Sequence, residues 1–545
     1  MEKILMGNEA IVQGAMEAGV QFVSAYPGTP SSEIGDRFSQ IAQENNIYFE
    51  FSVNEKVAME AAIGASFSGL KTLVSMKNFG LNVASDAFLP FVYTGTVGPT
   101  VIVVADDPSC HSSGQSEENT RGFAELAHVP ILEPADAKEA KDFTKLGFEI
   151  SQNFSIPVIL RITTRVAHQR MPVEISNDQF PISKEPGKFV KNKNKFVTMP
   201  PRVMEMKEEL LRKIKEIGAF ADKNEANRTE KGTGKIGIIT SGVSYLYVKE
   251  VLQKLDLKIP VLKLGFFYPF PKRKINNFIK GLKKVLVVEE LEGYLEKEIN
   301  VFTKNSNCKL EVYGKNWLPV TGELNTDKVA SAIGKLLNLK IPACRPARKI
   351  IKLEIPTRFP NLCQGCPYWL IFAAIKRLAP EGTVFGGDIG CYMLAGFPPH
   401  EIQDYLLCMG SSIGIGHGIK KASGNNQKLI SLIGDSTFFH AGIPGLINSV
   451  YNKSNLLILV LDNRITAMTG HQPNAGMQKT GMGERAEDIR IENIAKACGV
   501  KNVAVIDPIN VSDMEMTIKD FMEKQETSVI VMRRMCAYLA RKLNK

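Results

Sequence analysis

The chain has 545 residues, 44% of them hydrophobic, and 67 Lys and Arg against 57 Asp and Glu leave it at +10. That is ordinary globular composition, enough for large cores and, at roughly 150 residues per domain, for three or four domains. No apolar run is long enough to span a membrane and Met1–Ala10 lacks a signal-peptide core, so a cytoplasmic location without membrane contact is expected. The lysines cluster at 184–195, 272–284 and the C-terminus without any nucleic-acid motif, which reads as solvated surface facing acidic partners and excludes a nucleic-acid role. Nine cysteines in a reducing compartment are poor disulfide candidates, which leaves clustered ones for metal.

In chain order, Gly7–Gly19 reads as a helix and Gln21–Ala25 as a strand. The run Tyr26-Pro27-Gly28-Thr29-Pro30-Ser31-Ser32-Glu33-Ile34 is then a turn opening a helix, which Ser31 or Ser32 can cap. A strand from Ile47 to Val53 leads to Asn54-Glu55 and a helix whose Ala58, Ala61, Ala62, Gly64, Ala65 and Ser66 permit close packing. Read alone, Glu55 complements the helix dipole; Glu60 is the competing carboxylate one turn on. Residues 71–105 continue as strand, helix, strand. The strand 101–107 ends in Asp106-Asp107-Pro108, on the edge where parallel sheets bind ligands. The polar loop from Ser109 to Arg121 is long enough to serve an active site. Its adjacent Cys110 and His111 do not make a nucleophile dyad. The strand Pro157–Arg165 closes the first domain.

Residues 183–201 are rich in Lys, Asn and Pro and form a linker, followed by an amphipathic helix from Arg202 to Ile217 and a polar, mobile connection from Asp222 to Gly234. A second α/β region starts at Lys235. Its Glu289, Glu290 and Glu292 end a strand, as an acid–base pair or, the preferred reading, as a structural acidic loop. Residues 340–360 are a second proline-rich linker. Beyond it come Cys363-x-x-Cys366, then Cys391 in Gly-Gly-Asp-Ile-Gly-Cys, then Cys536 after the last strand. Taken alone, the first pair is half a zinc site or a redox pair, and the other two are buried hydrophobes. Between them lies a glycine-rich turn with Gly410, Ser411 and Ser412, whose glycines let a helix start close to a ligand.

Leu429–Asn474 reads as strand, tight loop, helix, strand and loop. Asp435 follows the first strand and Asn463 the second. Two oxygen-bearing side chains there, with a backbone carbonyl just beyond, suit a hard cation such as Mg²⁺ on a diphosphate.

Gly434-Asp435-Ser436, 26 residues, then Asn463-Arg464 resembles the thiamine diphosphate motif. Ser436 and Arg464 depart from it as the 2-oxoacid:ferredoxin oxidoreductases do. The run LDNRITAMTGHQPN is similar to the α subunits of their indolepyruvate branch, and YPGTPSSEI and GDIGCY fit the same family. The resemblance implies a multi-domain α/β thiamine diphosphate-binding fold. It comprises a pyrimidine-binding domain at 1–182, a linker with helix at 183–234, a transketolase C-terminal-like domain at 235–345 and a diphosphate-binding domain at 346–545.

It further implies that Asp435, Asn463 and the Ile465 carbonyl hold Mg²⁺, with Gly434, Ser436, Gly410, Ser411 and Ser412 around the cofactor. Glu55 would hydrogen-bond the aminopyrimidine and so activate the thiazolium. Thr29 would lie near the substrate carboxylate, with Ser113, Gln115 and Arg121 as weaker candidates. His440 and His471 flank the cofactor loops and could move a proton or touch substrate. Cys363, Cys366, Cys391 and Cys536 would hold one [4Fe–4S] cluster; Cys110, Cys308, Cys344, Cys408 and Cys498 read as structural.

The implied reaction is oxidative decarboxylation of an indolepyruvate-like aryl 2-oxoacid to the aryl-acetyl-CoA, with CoA as co-substrate. Longer members continue into a ferredoxin-like domain, whereas this sequence stops nine residues after Cys536. A separate ferredoxin or another acceptor is therefore expected, with a β (γ-type) subunit in an α2β2 assembly. A non-oxidative decarboxylase and a zinc-stabilised scaffold are the rival readings.

Overall fold

The computed structural model describes residues 1–112, 114–176, 185–305, 309–339 and 359–543. Ser113, Cys308, Cys344 and the domain boundaries expected near 182 and 345 lie outside them. The chain divides into two units, Met1–Glu50 with Glu55–Lys352 and Phe51–Asn54 with Leu353–Lys545. Among the described residues no helix is long and apolar enough to cross a membrane.

The first unit is built on two sheets. Thr72–Lys77, Thr100–Asp106 and Val158–Thr163 are buried along their whole length, as strands covered by helices on both faces must be. They form the centre of a seven-stranded sheet ordered Phe266–Tyr268, Ile131–Leu132, Val158–Thr163, Thr100–Asp106, Thr72–Lys77, Phe22–Ala25 and Tyr48–Phe51. The first strand of that order comes from the second α/β region and pairs antiparallel on the edge. A separate ribbon pairs Glu2–Met6 antiparallel with Arg170–Glu174, extending the fold past the strand read as closing it. The second sheet runs Glu311–Tyr313, Lys284–Val288, Ile236–Ser241, Val261–Leu264 and Asn227–Glu230.

Two expectations change here. The stretch from Asp222 to Gly234, read as mobile, contains the strand Asn227–Glu230, paired antiparallel with Val261–Leu264. Asn227 pins it by accepting from the Phe266 N–H (2.9 Å) and donating to the Ala221 carbonyl (3.1 Å). Ser31 precedes the helix Ser32–Ile41, but no serine side chain caps it. A turn draws both the Ser31 N–H and its hydroxyl back to the Gly28 carbonyl (2.8 and 2.7 Å).

The second unit has one sheet of five parallel strands, ordered Val384–Gly386, Leu429–Gly434, Leu457–Asp462, Ser528–Arg533 and Asn502–Ile506. Alternate residues face opposite ways. Leu432, Leu459, Leu461 and Ile530 pack with Ile371, Phe372 and Ile375, while Ile433, Ile458, Val460 and Val531 pack with Ile413, Leu446 and Ile491. Parallel strands put all their C-terminal ends on one edge. The helix Tyr368–Leu378 runs back before its strand, which brings its N-terminus and the Cys363–Cys366 turn to that same edge.

Candidate functional site

On the C-terminal edge of the second unit's sheet, Gly434 ends one strand and Asp462 ends its neighbour. The loop expected after Gly434 is instead a helical run. Asp435–Thr437 turns directly into a wide π turn at Phe438–Gly442 and then the helix Ile443–Tyr451, with a proline in its first turn that supplies no N–H. Asp435 is therefore the first residue of a helix and is buried. Its bonding partners are neutral: the Ser436 N–H at 2.8 Å and the Asn474 side-chain amide at 3.1 Å. Burial, and then the charge of Asp462, push its carboxyl up to about 7. Asn463 is buried beside it and accepts from the Ile465 N–H (3.1 Å), which fixes the bend that brings Ile465 round. Arg464, in the motif's second asparagine position, takes φ +66 and turns its guanidinium to Asp488 (2.6 Å).

The ring of Tyr392 covers Gly434 so closely that a Cβ there would lie 2.6 Å from it. Gly410 has φ +84, and a Cβ on it would meet Ala441 at 2.7 Å, so its close approach is to the π turn. Asp388 clamps this corner. Its carboxylate accepts from the N–H groups of Ile389 (2.8 Å), Gly410 (2.9 Å) and Ser412 (3.0 Å), and burial pushes it up to about 6. Ser411 turns its hydroxyl to the Cys408 carbonyl (2.7 Å).

The four cysteines gather on this edge. Cys363 and Cys366 close a turn (N–H to carbonyl, 3.1 Å), Cys391 opens a 3₁₀ turn after the first strand, and Cys536 donates its N–H to the Asn463 carbonyl (3.0 Å). Burial, then the Cys366, Cys536 and Cys363 thiols, push Cys391 up to about 12; burial lifts Cys366 to about 11, with Cys363 and Cys536 contributing. The four sulfurs thus gather about Cys391 and Cys366, each of which lies within electrostatic reach of the other three. They suit a group that bridges several thiolates, and bound metal would reverse these shifts. Among the described residues no three His, Cys, Asp or Glu close on a single ion. His440 is buried in the π turn. His471 takes φ +69, with Nε2 3.7 Å from Cys536 Sγ.

In the first unit, Glu55 starts the helix Glu55–Phe67 and is buried, whereas Glu60 is exposed and paired with Lys56. The helix Asn78–Thr94 crosses Glu55 at Gly80, where a Cβ would lie 2.6 Å from Glu55 Cγ and 2.9 Å from Oε1. Thr29 is half-buried and joined to Pro30 by a cis peptide. Gln115 is exposed.

The Arg121 side chain turns inward from its loop. It is buried, bonding Glu133 (2.6 and 2.7 Å), Glu289 (3.3 Å), the Glu290 carbonyl (3.0 Å) and Ser241 (2.9 Å). Arg161 joins the same network through Asp106 (2.7 Å) and Glu133 (3.3 Å). Glu289 and Glu290 each tie down backbone that follows them in the chain. The first accepts from the N–H groups of Leu295 (3.0 Å) and Glu296 (2.8 Å), the second from that of Leu324 (3.0 Å).

Sequence reasoning missed Asp388, Asn474 and Gly80. Asp388 repeats the strand–Gly–Asp pattern that singled out Asp435, so its signal was present. Gly80 had none, since only packing brings it to Glu55.

The family model for pyruvate flavodoxin/ferredoxin oxidoreductase, thiamine diphosphate-binding, matches residues 13–228; that of the indolepyruvate oxidoreductase domain matches 227–347; and that of the C-terminal TPP-binding domain of thiamine pyrophosphate enzymes matches 388–532. Indolepyruvate oxidoreductase subunit IorA of Methanothermobacter thermautotrophicus is 44% identical over 544 residues, covering 98% of this chain and 86% of that protein. The protein of the same name from Thermococcus kodakarensis is 42% identical over 98% of this chain and 86% of its own length, and that from Archaeoglobus fulgidus 40% over 99% and 87%.

Proposed function

The chain belongs to the indolepyruvate oxidoreductase IorA family, and on that premise we propose that it carries out the thiamine diphosphate-dependent oxidative decarboxylation of an aryl 2-oxoacid. The observation that carries this reading is Asp435, a buried carboxylate bonded by neutral amides and set beside Asp462. A divalent cation is the partner such a carboxylate suits. Asp435, Asn463 and the Ile465 carbonyl would hold Mg²⁺, with Gly434, Ser436 and the Asp388-clamped Gly410–Ser412 corner around the diphosphate.

Thiamine diphosphate supplies the carbanion chemistry when bound. The chain's own residues orient it and handle protons. Glu55, kept in place by the helix passing at Gly80, would hydrogen-bond the aminopyrimidine. Thr29 meets the substrate carboxylate, and His440 and His471 stand beside the cofactor loops. Cys363, Cys366, Cys391 and Cys536 would hold a [4Fe–4S] cluster, which would supply one-electron redox chemistry. CoA accepts the acyl group, and electrons leave through ferredoxin or a similar acceptor. The domain limits are those read from the sequence, and the working assembly is α2β2 with a β (γ-type) subunit, in the cytoplasm.

The test is anaerobic purification with a visible spectrum and iron, sulfide and zinc analysis of wild type and Cys391→Ala. About four irons per chain, lost in the variant, are expected. A colourless, iron-free protein that binds thiamine diphosphate would favour the non-oxidative decarboxylase, and a zinc protein without thiamine diphosphate the scaffold. Glu55→Gln should retain the cofactor yet lose about 10²–10⁴-fold in kcat, with slowed exchange of the thiazolium proton; unchanged exchange would remove Glu55 from that role.

A further inference from the structure

We infer that His471 donates a hydrogen bond from Nε2 to the sulfur of Cys536 and thereby raises the reduction potential of the iron–sulfur cluster that Cys536 helps to hold. This rests on the cluster reading above and adds to it a residue that tunes the electron step without ligating iron.

The geometry that carries it is built, not incidental. His471 sits at φ +69, a conformation that favours glycine, and the loop around it imposes that conformation. The His471 N–H donates to the Thr466 carbonyl (3.0 Å), and the Thr466 N–H donates to the Gln472 carbonyl (3.0 Å). Gln472 is buried, and its side chain donates to the Thr469 carbonyl (3.0 Å) and accepts from the Thr469 hydroxyl (2.7 Å). So anchored, the imidazole reaches Cys536 Sγ at 3.7 Å, with the Tyr538 ring centroid 6.2 Å away on the segment that carries Cys536.

The Cys536 backbone N–H is spent on the Asn463 carbonyl, so the imidazole supplies a donor that this amide does not. In the Nε2–H tautomer the contact is an N–H···S bond. Such a bond stabilises the more negative, reduced cluster and moves its potential upward.

The experiment uses the anaerobic holo-complex with its partner subunit, comparing wild type, His471→Gly and His471→Asn. Glycine accepts φ +69 without strain and removes the imidazole alone. Asparagine tolerates the same conformation and keeps an N–H donor. The readouts are iron and sulfide content and the cluster midpoint from an EPR-monitored redox titration at fixed pH. The expected result is full iron in all three, a midpoint shifted negative in His471→Gly, and a partial return in His471→Asn. An unchanged midpoint in His471→Gly with iron intact overturns the inference and leaves the cluster reading standing. Iron lost from His471→Gly overturns it too, because the residue would then support ligation. An iron-free wild type sinks both.

Discussion

Each unit of the molecule buries carboxylates at the ends of parallel strands, and Glu133 of the first and Asp435 of the second are treated in opposite ways. In the first unit Asp106 and Glu133 meet Arg161 and Arg121. Burial pushes Glu133 up, but the two guanidinium groups outweigh it and hold its carboxyl below the usual range. In the second unit Asp435 meets amides and a second carboxylate and is pushed up to about 7. The arginines neutralise the charge of Glu133 within the fold, whereas Asp435 is left with neutral bonds and a second carboxylate, an arrangement a cation would complete. Burial alone does not separate the two; what surrounds each carboxylate does.

Breaking the first arrangement should have the largest effect. Arg161→Met leaves Asp106 and Glu133 short of a partner and should destabilise the first unit by about 3–5 kcal/mol, read by denaturant unfolding. A loss under about 1 kcal/mol would mean the network is dispensable. The matching change on the other side should go the opposite way. Asp435→Asn should stabilise the cofactor-free chain by about 1–4 kcal/mol while weakening Mg²⁺–thiamine diphosphate binding about 100-fold, measured by calorimetry. Destabilisation with binding retained would reverse the comparison.

The smallest effect sharpens it within the first unit. Burial raises Glu290 from 4.5 to about 7. The folded state therefore keeps its proton where the unfolded chain has lost it. The stability this contributes is complete below pH 4.5 and lost as pH rises through about 7. Glu290→Gln should flatten that slope, gaining about 1–3 kcal/mol over wild type at pH 8. Parallel pH curves for the two proteins would place the titration elsewhere.

Much of this was legible in the sequence because it is local. Asp435 and Asn463 are set by strand ends a fixed spacing apart, and the short runs of Leu429–Ile433 and Asn455–Leu461 announce those strands. What was not legible depends on contact between distant segments. Gly80 matters only because one helix crosses another, and Arg121 reads as a loop residue until Glu289, far along the chain, folds against it. The strand Asn227–Glu230 hides in polar sequence because an edge strand needs backbone partners more than apolar side chains.

The pairing of the last two central strands does not stop where the strands do. Asp462 lies opposite Arg533 in the ladder, the Arg534 N–H reaches the Asp462 carbonyl (3.0 Å), and the Cys536 N–H reaches that of Asn463 (3.0 Å). The sheet thereby acts as a ruler. Sliding one strand by a single residue would turn every side chain to the opposite face and move Cys536 out of step with Asn463. The distance between the cation-holding loop and the thiol loop is thus metered by strand register rather than by the loops themselves. A one-residue insertion within Ser528–Arg533 should disturb both together.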